Sequence, residues 1–143
     1  MGVNITLYFE QEVPERLVQC VEAKELCQGK TLEKIEGLCK ELGVTGLMEY
    51  SAQPDVSHLP MTPWQAANWY LDGAWDESLG PEPETHWHDP AEGLATVRAV
   101  LGHMRDRPGS IRGAENRAEL QAFEQALSAA LAHGVRFHIR TET

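Results

Sequence analysis

The chain alternates apolar and polar residues with a period of two at both of its ends, and this constrains the fold more than any other feature. Val3, Ile5, Leu7 and Phe9 interleave with Asn4, Thr6, Tyr8 and Glu10 near the start. Val135, Phe137 and Ile139 interleave with Arg136, His138 and Arg140 near the end. Such alternation is the mark of a strand with one buried face. A single strand is not stable in water, so the two terminal strands are expected to share one small sheet. In this reading His138 points away from the core, toward solvent or a covering helix.

The stretch between the strands reads as mostly helical. Leu32, Ile35, Leu38, Cys39 and Leu42 fall on one face of a helix that Thr31 would cap and Gly43 would stop. A second helix opens on Asp89 as cap, Pro90 in the first turn and Glu92 three residues after the cap, with Leu94, Val97, Val100, Leu101 and Met104 as its apolar stripe. The last helix carries Leu120, Phe123, Leu127, Ala130 and Leu131, then His133 and a terminating Gly134. A shorter helix is predicted from Thr62-Pro63-Trp64-Gln65 to Gly73. Residues 15–28 place apolar side chains nearly all round a helical wheel. Pro14 and the good helix formers there favour a helix, with a strand as the alternative.

The expected architecture is therefore α+β in a single compact domain, residues 1–143. A small sheet holding both terminal strands is covered by about four helices, the last two an antiparallel hairpin joined by an arginine-rich turn. A chain of 143 residues has room for one hydrophobic core. No apolar run reaches the ~18 residues of a membrane span. The N-terminus lacks the pattern of a secretory signal, so a cytoplasmic location is expected. Three cysteines, Cys20, Cys27 and Cys39, form no C-x-x-C pair and suit neither a disulfide framework nor a zinc site. They read as reduced thiols among apolar neighbours.

Charge is distributed unevenly. Asp and Glu number 22 against 12 Lys and Arg, giving a net charge of -10, which argues against nucleic acid or an anionic membrane as partner. From Glu41 to Val97, 57 residues, there is no lysine or arginine, yet that span holds ten acidic residues and all four tryptophans. From Arg98 onward seven arginines face five acids. Two physical readings compete. The acids could form a solvated surface around core tryptophans. Alternatively, residues 49–88 form an acidic docking face for a basic protein, anchored by Trp64, Trp75 and Trp87 with Asp76, Glu77 and His88 beside them.

Little in the sequence points to catalysis. His86-Trp87-His88-Asp89 is the densest group of potential ligands. In an extended segment His86 and His88 face the same way and could hold a metal, given a third ligand such as His58 or a nearby glutamate. That would make a metal-assisted hydrolase or a small-molecule enzyme. No nucleophile elbow is present, and Gly109-Ser110-Ile111-Arg112-Gly113 lacks phosphate-loop spacing and reads as a turn. No catalytic residue and no cofactor are expected.

Trp87-His88-Asp89-Pro90-Ala91-Glu92-Gly93-Leu94, followed by Gly134-Val135-Arg136-Phe137-His138-Ile139, resembles a set of small bacterial proteins of unknown function. These share a W-x-D-P-x-E-G-L helix start and a C-terminal G-V-x-F-H strand. Leu42-Gly43-Val44-Thr45 and Leu47 resemble their helix stop, so the likeness runs over about residues 31 to 141. It implies a compact bacterial cytoplasmic domain and carries no activity. Taken with the charge pattern, the expectation is a non-catalytic protein-binding module. By analogy, an immunity protein that neutralises a basic toxin would suit such a charge.

Overall fold

The computed structural model describes residues 4–13, 18–51, 58–111 and 113–142. The chain divides into two compact units: 1–52 together with 87–143, and 53–86.

The first unit contains a three-stranded antiparallel sheet in the order β2-β1-β3, with β1 at Asn4–Val13, β2 at Val18–Ala23 and β3 at Phe137–Glu142. The terminal strands pair as the alternation requires, Leu7 opposite Ile139 and Phe9 opposite Phe137. Ile5, Leu7, Phe9, Phe137 and Ile139 are buried on the helix side. The helical reading of residues 15–28 is overturned. Residues 18–23 form β2, with Tyr8 opposite Cys20 and Leu7 opposite Val21, and a 3-10 turn follows at Glu25–Cys27. Pro14, on which that reading leaned, lies outside the described residues. The apolar residues that surround the helical wheel serve two separate pieces: Val21 and Ala23 lie on the core side of β2, and Leu26 is buried in the turn.

Three helices complete this unit: α1 (Thr31–Leu42), α3 (Pro90–Asp106) and α4 (Ala114–His133). The label α2 belongs to Pro63–Asp72 in the other unit. α4 lies against β1 and β2, α3 packs on α4 as an antiparallel hairpin, and α1 packs on α3. Gly43 and Gly134 take the left-handed conformation that ends α1 and α4, with φ of 72° and 67°. Asp89 caps α3 through the Ala91 N–H at 2.9 Å. Thr31 is not the cap of α1: Lys30 takes the cap position, without a side-chain hydrogen bond, and Thr31 is the first helical residue.

Two helix carboxylates anchor the 3-10 turns. Glu119 of α4 accepts the backbone N–H groups of Lys24, Glu25 and Leu26 at 2.9, 3.1 and 2.9 Å. These are the donors that the start of a helical turn leaves unpaired, and a negative charge suits them. Glu36 of α1 accepts from Met48 N at 3.2 Å at the turn Leu47–Tyr50. Burial holds the Glu36 carboxyl above its usual range.

Gly93 and Gly102, both inside α3, differ in what surrounds them. A Cβ at Gly93 would come within 2.8 Å of Phe137 Cε1, whereas a Cβ at Gly102 would meet nothing within 4 Å. Gly93→Ala is therefore expected to lower stability by about 1–3 kcal/mol through overpacking. Gly102→Ala should raise it by about 0.5–1 kcal/mol, the ordinary gain for a helix interior. Urea denaturation of both variants checks this, and equal effects of one sign would show that the Phe137 contact does not limit position 93.

Candidate functional site

In the second unit the helix start predicted at Thr62-Pro63-Trp64-Gln65 forms, closed by a full capping box. Gln65 N donates to Thr62 Oγ1 at 3.2 Å, and Thr62 N donates to Gln65 Oε1 at 2.8 Å. The same Gln65 amide uses Nε2 to donate to Asp76 Oδ2 at 2.6 Å. The other oxygen of Asp76 accepts from Ser78 N at 2.9 Å and starts the 3-10 turn Glu77–Leu79. Hydrogen bonds from Ser78 and then Gln65 hold the Asp76 carboxyl below its usual range. Trp75 donates its indole N–H to the Gly80 carbonyl at 2.8 Å and meets the Trp69 ring edge-on, centroids 4.8 Å apart. Trp69 in turn donates to Glu82 Oε1 at 3.0 Å.

Asp76 and Trp75 thus organise this unit from within, while Glu77 is exposed. No described residue of 58–86 is fully buried. Trp64 is 75% exposed and Leu71 is 82% exposed. Seven residues apart, they lie on one face of α2, two turns from each other. Tyr70 is exposed beside them. Leu71 and Tyr70 were not among the residues singled out from the sequence. The available signal was the seven-residue spacing from Trp64.

Trp87 and His88 belong to the first unit. The His88 backbone pairs with Phe137 in both directions, N to O at 2.7 Å and O to N at 3.0 Å, so residue 88 extends the sheet beyond β3. The His88 ring is edge-on to Tyr50, centroids 5.4 Å apart, with Nε2 3.0 Å from the Ser51 carbonyl oxygen, to which it donates. Tyr50 is itself buried, and burial raises its phenol above the ordinary value. Its hydroxyl donates to the Glu92 carbonyl at 3.0 Å and lies 2.9 Å from Thr96 Oγ1, whose own hydrogen goes to the Thr45 carbonyl at 2.7 Å.

Trp87 stacks on His138, ring centroids 4.0 Å apart and planes 19° from parallel. His138 does point away from the core, yet it is fully buried. Its cover is an indole from the segment before α3, not solvent or a helix, which corrects the expectation for this residue. Arg140 Nε donates to His138 Nε2 at 2.9 Å. That nitrogen must then offer a lone pair, which makes the ring neutral with its hydrogen on Nδ1. Arg140 also sits over the Tyr8 ring, 4.8 Å from its centroid. Just before β3, Arg136 grips Glu10 with Nη2 2.9 Å from Oε2, and the Glu10 carboxyl is held low by that hydrogen bond.

For the metal reading, no group of three His, Cys, Asp or Glu side chains converges among the described residues. His86 is exposed, and His88 directs Nε2 at a backbone carbonyl. Cys39 is buried, and burial, with Glu36 nearby, pushes its thiol up to about 11. An activated nucleophile would need the opposite shift. Cys27 is raised by burial as well. No helix of the described residues is long and apolar enough to cross a membrane. No family model, no curated protein and no solved structure matches the chain.

Two measurements test these placements. Trp87→Ala should lower stability by about 2–4 kcal/mol, since it removes a stacked aromatic and uncovers His138, and Trp87→Phe should recover much of the loss. If Trp87→Ala melts with the native protein, the stack contributes nothing to the fold. The second test concerns Cys39. Because its thiol rises from 9.0 to about 11, the folded chain keeps a proton that the unfolded chain releases. Stability should therefore fall as pH climbs through that interval. Cys39→Ala should show a shallower fall than the native protein in urea melts from pH 8 to 11, and parallel curves would refute the shift.

Proposed function

We propose that this chain is a non-catalytic protein-binding module of the bacterial cytoplasm. It engages a basic protein through the outward face of α2, with Trp64 and Leu71 as anchors. The observation that carries the reading is the pairing of Trp64 and Leu71, both largely exposed on one helix face, within a span free of lysine and arginine. Large apolar side chains left in water are uncommon when grouped, and tryptophan is enriched where binding energy concentrates. The acids of the same span, Asp72, Glu77, Glu82 and Glu84 among them, supply a field of one sign. Such a field draws in an oppositely charged partner and repels polyanions.

Among the tryptophans, the reading rests on Trp64 rather than on Trp75 or Trp87. Trp75 and Trp87 have internal work, the one inside the 53–86 unit and the other over His138. Trp64 makes no comparable contact among the described residues. A partner of matching chemistry would present an apolar pocket rimmed by lysine or arginine. The immunity-type role suggested by charge alone is one case within this class.

The test begins with gentle isolation of the chain from its own host and native mass spectrometry. The expected result is a bound polypeptide of basic pI. Once that polypeptide is purified, Trp64→Ala should weaken its binding tenfold or more, about 1.4 kcal/mol or above. The variant should keep the native melting temperature, and raised salt should slow association. A partner bound equally well by Trp64→Ala and Leu71→Ala would refute the proposed face.

A further inference from the structure

Away from the sheet, the α3–α4 hairpin holds a groove of about 410 Å³. Arg98 and Arg105 line it from α3, seven residues apart and so on one helix face, and Arg117 and Gln121 line it from α4. One carboxylate, Glu124, is present, so three guanidinium groups against one acid leave the lining with a formal charge of +2. Glu124 is engaged with Arg98 at 3.4 Å. The carboxylate paired with Arg105 is that of its chain neighbour Asp106, also at 3.4 Å, in a largely exposed pair of the kind that contributes little. Arg117 has no acidic partner among the described residues. In a protein of net charge -10, this is a local reversal of sign.

Gly102, which also lines the groove, is an independent sign that something approaches α3 here. A glycine inside a helix costs about 1 kcal/mol relative to alanine. Gly93 has an internal reason, the Phe137 ring. Gly102 has none, since a Cβ there would meet open space. A missing side chain between two arginines of one helix face leaves the backbone open to close approach by a ligand.

We propose that this groove binds the phosphate group of a small phosphate monoester. A carboxylate is satisfied by one guanidinium fork, whereas a phosphate carries three peripheral oxygens and close to two negative charges at neutral pH. Three forks and a lining of +2 match the second and exceed the first. The volume is that of a small-molecule site. The acidity of the rest of the chain disfavours an extended polyanion, so the ligand is a compact anion. The groove belongs to the first unit and α2 to the second, and neither reading depends on the other.

Phenyl phosphate, inorganic phosphate and benzoate, each titrated calorimetrically into the full chain at low salt, provide the test. The expected result is saturable one-to-one binding of phenyl phosphate, tighter than either of the others. The double variant Arg105→Gln/Arg117→Gln should weaken it at least tenfold. Gly102→Leu, which fills the groove without touching a charge, should do the same, and Trp64→Ala should leave it unchanged. Both groove variants alter exposed or open positions, and melting curves confirm that they fold. Absence of saturable binding would overturn the proposal, as would equal affinity in native and variant proteins. Binding of benzoate as tight as phenyl phosphate would show that the groove recognises carboxylates, and tighter binding of inorganic phosphate would show that no ester is required.

Discussion

The contact of residues 87–93 with β3 is the interaction on which the rest of the first unit depends. Within seven residues the chain stacks Trp87 on His138, pairs the His88 backbone with Phe137 in both directions, caps α3 with Asp89 and seats Gly93 under the Phe137 ring. Each contact fixes a different degree of freedom. The backbone pair sets register along β3, the stack sets the side of the sheet, and the glycine sets how closely α3 approaches. With the start of α3 held in three ways, its direction is determined. The short connection to α4 then places the hairpin. Tyr50 adds a fourth tie, since its hydroxyl reaches the Glu92 carbonyl of the first helical turn.

Much of this was legible because the signals are local. Period-two alternation located β1 and β3, and left-handed glycines at 43, 73 and 134 ended three helices where the sequence placed their stops. The capping box at Thr62 depends on side chains three residues apart and could be read directly. β2 could not, because its partner is β1. Its apolar residues are divided between a strand face and a following turn, so no single period fits the segment. The burial of His138 was equally out of reach. Its cover comes from a tryptophan 51 positions earlier, and alternation within a strand says which face a side chain takes but not what lies over that face.

The four tryptophans show the same limit on function. Composition marks them as a group in an acidic span, and three of them, Trp64, Trp75 and Trp87, read from the sequence as anchors of one docking face. In three dimensions they divide by what their indoles do. Trp69 and Trp75 form an edge-on pair, each with its N–H satisfied inside the 53–86 unit, and Trp87 closes over a buried imidazole. Of the four, only Trp64 leaves most of its surface in water. An indole N–H needs a partner when buried, and three of the four sit where the local fold provides packing or a hydrogen bond. What the spacing did contain was the pair Trp64 and Leu71, legible as one face once the helix was placed.

Segregation of charge along the chain has consequences for both surfaces. The arginines follow the 57-residue span without a basic residue, so few acids of their own helices are near enough to neutralise them. Arg136 finds Glu10 across the sheet, and that pair fastens β1 to β3. Arg98, Arg105 and Arg117, on the helix hairpin, have no strand opposite and are left with weak or no partners. A long acidic span without lysine or arginine therefore leaves unneutralised cations on a different element of the same chain. At physiological salt charges are screened over about 8 Å, so each patch acts on what touches it and not as part of a net field. The basic groove can then hold an anion although the molecule as a whole repels one, because affinity follows the charges in contact and net charge governs only the approach.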